Sequence, residues 1–463
     1  MPHFVAESPI PWPREALAAF HLRPGALDRL LPPWQPVRVE IPGPVAEGAR
    51  VTLRMGHRPL GFRFVAEHRD VRPPEGFSDV QVRGPFARFE HRHRFLPEDG
   101  ADGSRLRDEI FWTLPGGAAV DRLARRPVER ELGRMLAFRH RRTRSDLSRQ
   151  LDGPQSEART VAITGATGLI GTALAAYLGT AGHEVRRVTR RPRAGTSDVG
   201  WDPAAGRIDA AGLAGVDAVI HLAGESLFGG RWTAARKRAI RESRVQGTRL
   251  LVDALARLPA PPGVLLSCSA VGFYGNRGDA PLPETAGPGE GFLAELCRQW
   301  EAEATRLAEA GTRVVHLRMG VVLSARGGAL GQVLPLFRLG LGGPLGDGRA
   351  WLPWISLDDA VYAVDTLLRR QDVSGPVNLV APEPVRQRDY ARTLARVLRR
   401  PALLPAPAPA LRLAFGELAD EALLCSARVR PEVLLRAGYR FEHPDLEDAL
   451  RFELGRTREP AAR

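Results

Sequence analysis

Arg159-Thr160-Val161-Ala162-Ile163-Thr164-Gly165-Ala166-Thr167-Gly168-Leu169-Ile170-Gly171 decides the fold of most of this chain. Its first residues make a short apolar strand that runs directly into a loop with glycine at every third position. A helical apolar pattern through Leu174 and Leu178 follows. Such a unit holds a pyrophosphate if it has a tight turn after the strand, close approach of backbone to ligand, and close packing of helix on sheet. Gly165, Gly168 and Gly171 meet these demands in that order, and the first N–H groups of the helix face the phosphates. Thr167, Leu169 and Ile170 complete the loop and count with the glycines as expected cofactor contacts.

Downstream, His183-Glu184-Val185-Arg186-Arg187-Val188 reads as the next strand and ends at Thr189-Arg190-Arg191. An acidic residue at this position accepts the ribose 2′-hydroxyl of NAD, whereas arginine pairs with the 2′-phosphate of NADP. No Asp or Glu occupies the strand end, so NADP is favoured over NAD, with Arg190 as the contact. The bland alternative is a pair of exposed arginines in an arginine-rich protein. Val216 to Gly224 is a further buried-strand pattern, and Leu222, Ala223 and Gly224 at its end belong beside the cofactor. His221 has no second ligand near it in sequence, so it is read as structural or cofactor-facing and no metal site is assigned.

Working outward, 463 residues suggest two or three domains. With 44% hydrophobic and 26% charged residues, neither global disorder nor a collagen-like chain fits. Cys268, Cys297 and Cys425 lie far apart, which argues against a thiolate metal cluster and against a secretory disulfide framework. Pro9, Pro11 and Pro13 interrupt the N-terminus, and no run of about 18 apolar residues occurs. A soluble, cytoplasmic protein without a membrane span is expected. The net charge of +13 is spread along the chain, with 26 Arg against 21 acidic residues up to residue 158 and 40 Arg+Lys against 32 beyond it. No basic–aromatic stacking motif accompanies it, so nucleic acid is not the expected partner.

Residues 1–150 read as a mixed α/β domain. Short helical segments around Arg14–Phe20 and Ala26–Leu31 precede strand-like runs at Gln35–Ile41, Ala49–Met55, Leu60–Arg69, Phe77–Val82, Phe86–Phe95 and Arg105–Leu114. A helix through the arginine cluster Arg122–Arg149 closes the set, with Pro127 in its first turn and Val128, Leu132, Met135 and Leu136 as its apolar stripe. Antiparallel strands followed by one long helix give a curved sheet gripping that helix over a cavity. This order, with Phe95-Leu96-Pro97, Asp108-Glu109-Ile110 and Arg139-His140-Arg141, resembles the SRPBCC superfamily of START- and polyketide-cyclase-like helix-grip domains. The resemblance implies a hydrophobic ligand in the N-terminal domain. Residues 151–158, LDGPQSEA, read as a linker.

Several motifs beyond the glycine loop converge. Trp201-Asp202-Pro203, Leu222-Ala223-Gly224-Glu225, Arg231-Trp232-Thr233, Ser243-Arg244, Gly272-Phe273-Tyr274-Gly275, Trp300-Glu301, Leu339 to Pro344 and Trp354 to Asp359 resemble the atypical extended short-chain dehydrogenases/reductases known as epimerase family proteins. The resemblance implies an α/β architecture: a Rossmann-like doubly wound parallel sheet over residues 159–400 that binds NAD(P), and a small C-terminal domain, residues 401–463, that completes the substrate side. It also implies a small-molecule substrate and an oxidoreductase or epimerase activity.

Ordinary members of that superfamily use a Tyr-x-x-x-Lys pair on a helix to exchange a proton while hydride moves. The corresponding helix is Gly291–Leu307. Aligning Glu301 with the acidic residue that often follows the family lysine puts Leu293 and Cys297 where Tyr and Lys belong, and neither does that chemistry. The only lysine, Lys237, lies on an earlier segment. Ser269 matches the serine that hydrogen-bonds substrate if its loop carries one extra residue; without the insertion Ala270 takes the place. Tyr274 and Glu225, polar residues near strand ends, stand as replacement acid or base, against the plainer readings of a loop-packing phenol and a helix-start carboxylate. Arg318 is either an anion anchor or a surface arginine. Asp359 caps or buttresses the following helix, and the glycine-dense stretch 325–349 is a mobile loop or a substrate-covering flap. Without the Tyr–Lys pair, a protein that senses NADP or transfers a ligand without turnover is the competing class.

Overall fold

The first unit is built on an antiparallel meander of seven strands: β1 (His3–Ile10), β2 (Val37–Ile41), β3 (Arg50–Met55), β4 (Phe62–Arg72), β5 (Gly76–Arg83), β6 (Arg88–Pro97) and β7 (Ser104–Thr113). The sheet order is β1-β7-β6-β5-β4-β3-β2. The computed structural model describes residues 1–56, 61–98, 102–152 and 157–457, so Leu60 of the expected third strand and 153–156 of the expected linker lie outside it. Alternation works as the sequence implies: along β7, Leu106, Asp108, Ile110 and Trp112 turn inward while their neighbours face out. Helices α1 (Arg14–Leu22), α2 (Ala26–Leu30) and α3 (Ala118–Leu151) cover the inner face, and Leu136 of α3 packs on Ile110 and Trp112, flanked by Val128, Leu132 and Met135. This is a helix-grip domain.

One element was not anticipated and one expectation is corrected. The N-terminal residues form a strand, β1, paired with β7 from His3↔Phe111 to Ile10↔Ser104, despite Pro9. An edge strand tolerates a residue with no N–H because half its backbone groups have no partner strand. The gripped helix starts at Ala118, so Pro127 is interior and not in the first turn. That stretch is largely exposed, with Leu123 at 85%, and solvent serves the carbonyl group that proline leaves without a donor.

The second unit contains β8 (Thr160–Thr164), α4 (Leu169–Thr180), β9 (Glu184–Thr189), β10 (Val199–Asp202), β11 (Arg207–Ile208), β12 (Ala218–His221), α5 (Ala234–Ala256), β13 (Val264–Ala270), β14 (Pro281–Leu282), α6 (Phe292–Thr305), β15 (Arg313–Met319), β16 (Val321–Leu323), α7 (Gly328–Arg338), β17 (Trp351–Leu352), β18 (Trp354–Ser356), α8 (Leu357–Arg369) and β19 (Gly375–Leu379). Its main sheet runs β11-β10-β9-β8-β12-β13-β15-β19, parallel throughout except for β11. Val161, Ile163, Val219, Ile220, Leu265, Leu266, Val315 and Leu317 are fully buried, as strands covered on both faces require. Strand order reverses between β8 and β12, and a crevice opens at the carboxyl ends of the strands at such a point. This is a doubly wound α/β fold.

The remaining elements are β20 (Val385–Arg386), α9 (Gln387–Leu398), α10 (Ala408–Phe415), β21 (Arg428–Val429), α11 (Glu432–Arg436) and α12 (Leu446–Glu453). Short pairs β14–β21 and β17–β20 join two of these C-terminal segments to earlier parts of the second unit, and β16 pairs with β18. The glycine-dense stretch 325–349 is no plain loop, since α7 occupies its middle. Pro409 sits in the first turn of α10, where proline's fixed φ suits a helix start. Ser356 caps α8, its Oγ accepting from the Asp359 N–H at 2.9 Å, and Asp359 buttresses the helix start, its carboxylate accepting from the N–H groups of Glu442 and His443 at 2.7 and 2.9 Å. Contacts divide the chain into one unit of Met1–Ser156, Ala176–Gly182 and the residues from Phe452, and another of Glu157–Ala175 and His183–Arg451, so α4 counts with the second unit up to Ala175 and α12 up to Arg451. Among the described residues no helix is long and apolar enough to cross a membrane.

Candidate functional site

The glycine loop joins β8 to α4 beside the point where strand order reverses. Gly165 adopts φ +68°, and a Cβ there would lie 2.9–3.0 Å from the backbone of Leu222 and Ala223 at the end of β12. At Gly171 a Cβ would meet the Gly165 carbonyl oxygen at 2.2 Å. These two glycines are therefore dictated by the protein's own backbone. Gly168 is different: a Cβ there would meet only the Gly165 oxygen, at 3.3 Å. Its other side is bare and exposed, as is Thr167, while Leu169 and Ile170 are half-buried in the first turn of α4. The first-turn N–H groups of a helix have no intrahelical acceptor, so this turn presents donors to an anion.

Leu222, Ala223 and Gly224 run alongside, fixed by Thr164, whose Oγ1 accepts from the N–H groups of Leu222 and Ala223 at 3.1 and 3.2 Å. His221 is structural. Its ring nitrogens lie 2.7 Å from Thr164 Oγ1 and 2.9 Å from Thr248 Oγ1, so it ties β8, β12 and α5 together. Burial, aided by the cation of Arg244, pushes its pKa down to about 4. Arg190 is exposed just past β9 and borders a groove of about 780 Å³ that Trp201, Asp202, Arg207, Leu250 and Asp253 also line. The glycine loop lies outside that lining, so the groove extends the region around Arg190 and does not coincide with the first turn of α4.

Across the crevice, register assembles a buried polar chain. Ser269 on β13 pairs with Arg318 on β15, which pairs with Asn378 on β19. Ser269 Oγ donates to Glu301 Oε1 at 2.6 Å, and Glu301 takes two further bonds from Arg318, each 2.9 Å. Arg318 Nη1 donates to the Tyr274 hydroxyl at 3.0 Å, and that hydroxyl donates to Asn378 Oδ1 at 2.7 Å. The guanidinium also lies 3.5 Å from the Phe273 ring centroid. The structure thus joins Ser269 and Tyr274 in one network, through two residues whose roles the sequence left open. Ala270 faces the opposite side of β13, as alternation demands. Tyr274 is fully buried with its hydroxyl committed, and burial raises its pKa despite the nearby arginine.

Glu225 stands apart from that network. It is exposed, nine residues ahead of α5 and so not a helix-start carboxylate, and it accepts from Arg236 Nη1 at 2.8 Å. Leu293, Cys297 and Glu301 follow one another at four-residue steps along one face of α6, with Leu293 and Cys297 buried. Burial pushes the Cys297 thiol up to about 12 and Cys268 up to about 11, so neither is a thiolate nucleophile.

An epimerase family protein of Mycobacterium bovis is 43% identical over 290 residues, which cover 63% of this chain and 96% of the relative. This chain belongs to the epimerase family proteins. The NAD dependent epimerase/dehydratase family model matches residues 161–380, a domain of unknown function, DUF1731, matches 406–453, and the polyketide cyclase/dehydrase and lipid transport model matches 10–139. The crystal structure of the nucleoside-diphosphate sugar epimerase from Corynebacterium glutamicum is similar over 98% of this chain and 90% of that one, at 33% identity and TM-score 0.79. Human epimerase family protein SDR39U1, solved with NADPH, covers 64% of this chain and 99% of its own, at 35% identity and TM-score 0.59.

In this epimerase family protein, sequence reasoning did not assign Glu301, Asn378 or Arg244 to the site. Arg244 donates to the carbonyls of Glu225 and Ile240 and fills the space a Cβ on Gly224 would need. The signal for Glu301 was present in its four-residue spacing from Cys297; none existed for Asn378, which register alone brings there.

Proposed function

We propose that the second unit binds NADP(H) and acts as an oxidoreductase or epimerase of the extended short-chain type on a small molecule. The observation that carries this reading is the glycine loop at the reversal of strand order, with Gly168 bare and Arg190 at the end of β9. Gly165, Thr167, Gly168, Leu169, Ile170 and Gly171 hold the phosphates, Leu222, Ala223 and Gly224 flank them, and Arg190 takes the 2′-phosphate. The NADPH bound by the human relative and the likeness to the nucleoside-diphosphate sugar epimerase of Corynebacterium glutamicum support the assignment. When bound, the nicotinamide supplies hydride transfer. Ser269 positions a substrate hydroxyl, because its own proton is given to Glu301 and its oxygen is left to accept. Arg318 holds the Glu301 carboxylate in place for that bond, donating to both of its oxygens. Tyr274 and Glu225 remain the candidates for proton exchange. Residues 1–150 hold an apolar ligand, 159–400 the cofactor, and 401–463 complete the substrate side.

A second reading, cofactor sensing without turnover, draws on Leu293 and Cys297 standing where Tyr and Lys belong and on the committed hydroxyl of Tyr274. Fluorescence titration with NADPH and NADH, beside an Arg190→Glu variant, tests the cofactor assignment. NADPH is expected to bind more tightly than NADH, and the variant to lose about 10- to 100-fold in NADPH affinity, the worth of a charge-assisted contact. No binding of either cofactor, or unchanged NADPH affinity in the variant, removes the proposal. Once a substrate is found, Ser269→Ala separates the readings: turnover is lost with NADPH binding intact if the protein is an enzyme.

A further inference from the structure

Five of the eleven histidines, His21, His68, His91, His93 and His140, are buried in the first unit, an unusual load for a domain whose relatives are described by lipid transport. Local sequence explains the first step. In Glu90-His91-Arg92-His93 the two histidines alternate along β6, so they share one face, and that face is the buried one. Register supplies the carboxylates: Asp79 on β5 is opposite His91, and Asp108 on β7 is opposite His93. The two imidazole centroids stand only 3.9 Å apart.

Each imidazole turns one nitrogen to the same oxygen of Asp108, His91 Nε2 at 2.9 Å and His93 Nδ1 at 2.7 Å, the latter out of line for a hydrogen bond. The other oxygen of Asp108 is held by His140 Nε2 at 2.6 Å. Asp79 gives one oxygen to His68 Nδ1 at 2.6 Å and turns the other to His93 Nε2, 3.3 Å away. One ligand atom from each of Asp79, His91 and His93 lies within 4.8 Å of the other two. Bonds of about 2.0–2.1 Å at a tetrahedral angle put neighbouring ligand atoms about 3.3–3.4 Å apart. The His93–Asp79 separation matches.

We propose that Asp79, His91 and His93 form a binding site for one divalent first-row transition-metal ion. Two imidazole nitrogens and one carboxylate oxygen suit zinc, iron, cobalt or nickel and disfavour magnesium and calcium, which take oxygen ligands. The surroundings have the form such sites need: Asp108 fixes the His91 imidazole from behind and sets its charge beside His93, and His68 fixes Asp79. Two carboxylates in this interior also require compensating positive charge. Asp79 provides the entry side, since its side chain is 25% exposed while those of His68, His91, His93 and Asp108 are at 8% or below.

The test uses the full-length, tag-free chain, stripped with a chelator and titrated with Co²⁺ and Zn²⁺. One ion per chain is expected, with Co²⁺ giving visible ligand-field absorption that Zn²⁺ abolishes. Asp79→Asn is expected to weaken binding by more than about 100-fold, and Asp108→Asn by about 10- to 100-fold. X-ray absorption on the zinc-loaded wild-type protein reads the ligands directly and stands even if a variant fails to fold; two imidazoles are expected. No uptake, uptake unaffected by Asp79→Asn in a folded variant, or a ligand count without two imidazoles overturns the site and leaves a metal-free network with His93 as an imidazolium between two carboxylates.

Discussion

Arg318 shows what a single side chain contributes and how poorly one residue type announces its role. As the residue ending a strand it read equally as a surface group or an anion anchor, and it is neither exposed nor free: its side chain is 5% accessible and Glu301, its partner, 12%. Both Glu301 oxygens accept from its guanidinium, while its third nitrogen reaches Tyr274 and the Glu284 carbonyl. Arg318→Met leaves Glu301 buried without its cation and should cost about 3–5 kcal/mol in chemical denaturation. Adding Glu301→Leu should restore much of that loss, because the uncompensated charge goes with it. If the double variant is no more stable than the single one, the pair is not the source of the effect. His221 makes the same point in milder form, since only its two threonine partners decided between a structural and a cofactor-facing role.

At the level of elements, most of the chain was legible. Strand–loop–helix at 160–180, the six later strands of the first unit and the α6 helix follow from periodicity and turn residues, with ends shifted by a few residues. What escaped, β1 and the early start of α3, involved proline at positions where partner strands or solvent neutralise its usual meaning. The β8–α4 loop yields a prediction that separates packing from ligand contact. Gly171→Ala forces a Cβ to 2.2 Å from the Gly165 oxygen, so the loop must shift; a loss of about 1–3 kcal/mol in stability and of NADPH binding is expected. Gly168→Ala meets one oxygen at 3.3 Å and should stay within about 0.5 kcal/mol of wild type, yet lose about tenfold or more in NADPH affinity. Wild-type affinity in Gly168→Ala would deny that residue a ligand role.

For the whole molecule, chain order and domain membership diverge. The last described residues count with the first unit: the Phe452 ring lies 5.0 Å from that of Phe138, and Arg134 donates to the carbonyls of Gly455 and Leu454 at 2.8 and 3.3 Å. A chain ending at Arg451 should therefore expose Phe138 and weaken the first unit by about 3–5 kcal/mol, the cost of losing a buried aromatic contact. Hydrogen exchange checks this residue by residue: amides of α3 around Phe138 should exchange faster while those of β8 and β12 stay protected, and unchanged α3 protection would contradict it. By itself the sequence determined the fold class, the glycine loop between strand and helix and the arginine after β9, because those depend on periods of two and three to four residues and on glycine at fixed offsets, all local along the chain. Only the tertiary structure decided that Ser269, Glu301, Arg318, Tyr274 and Asn378 form one network and that Asp79, His91, His93 and Asp108 meet. The physical reason is register: which strand lies beside which, and at what offset, is set by hydrogen bonding and core packing between distant segments, and no spacing within one segment records it.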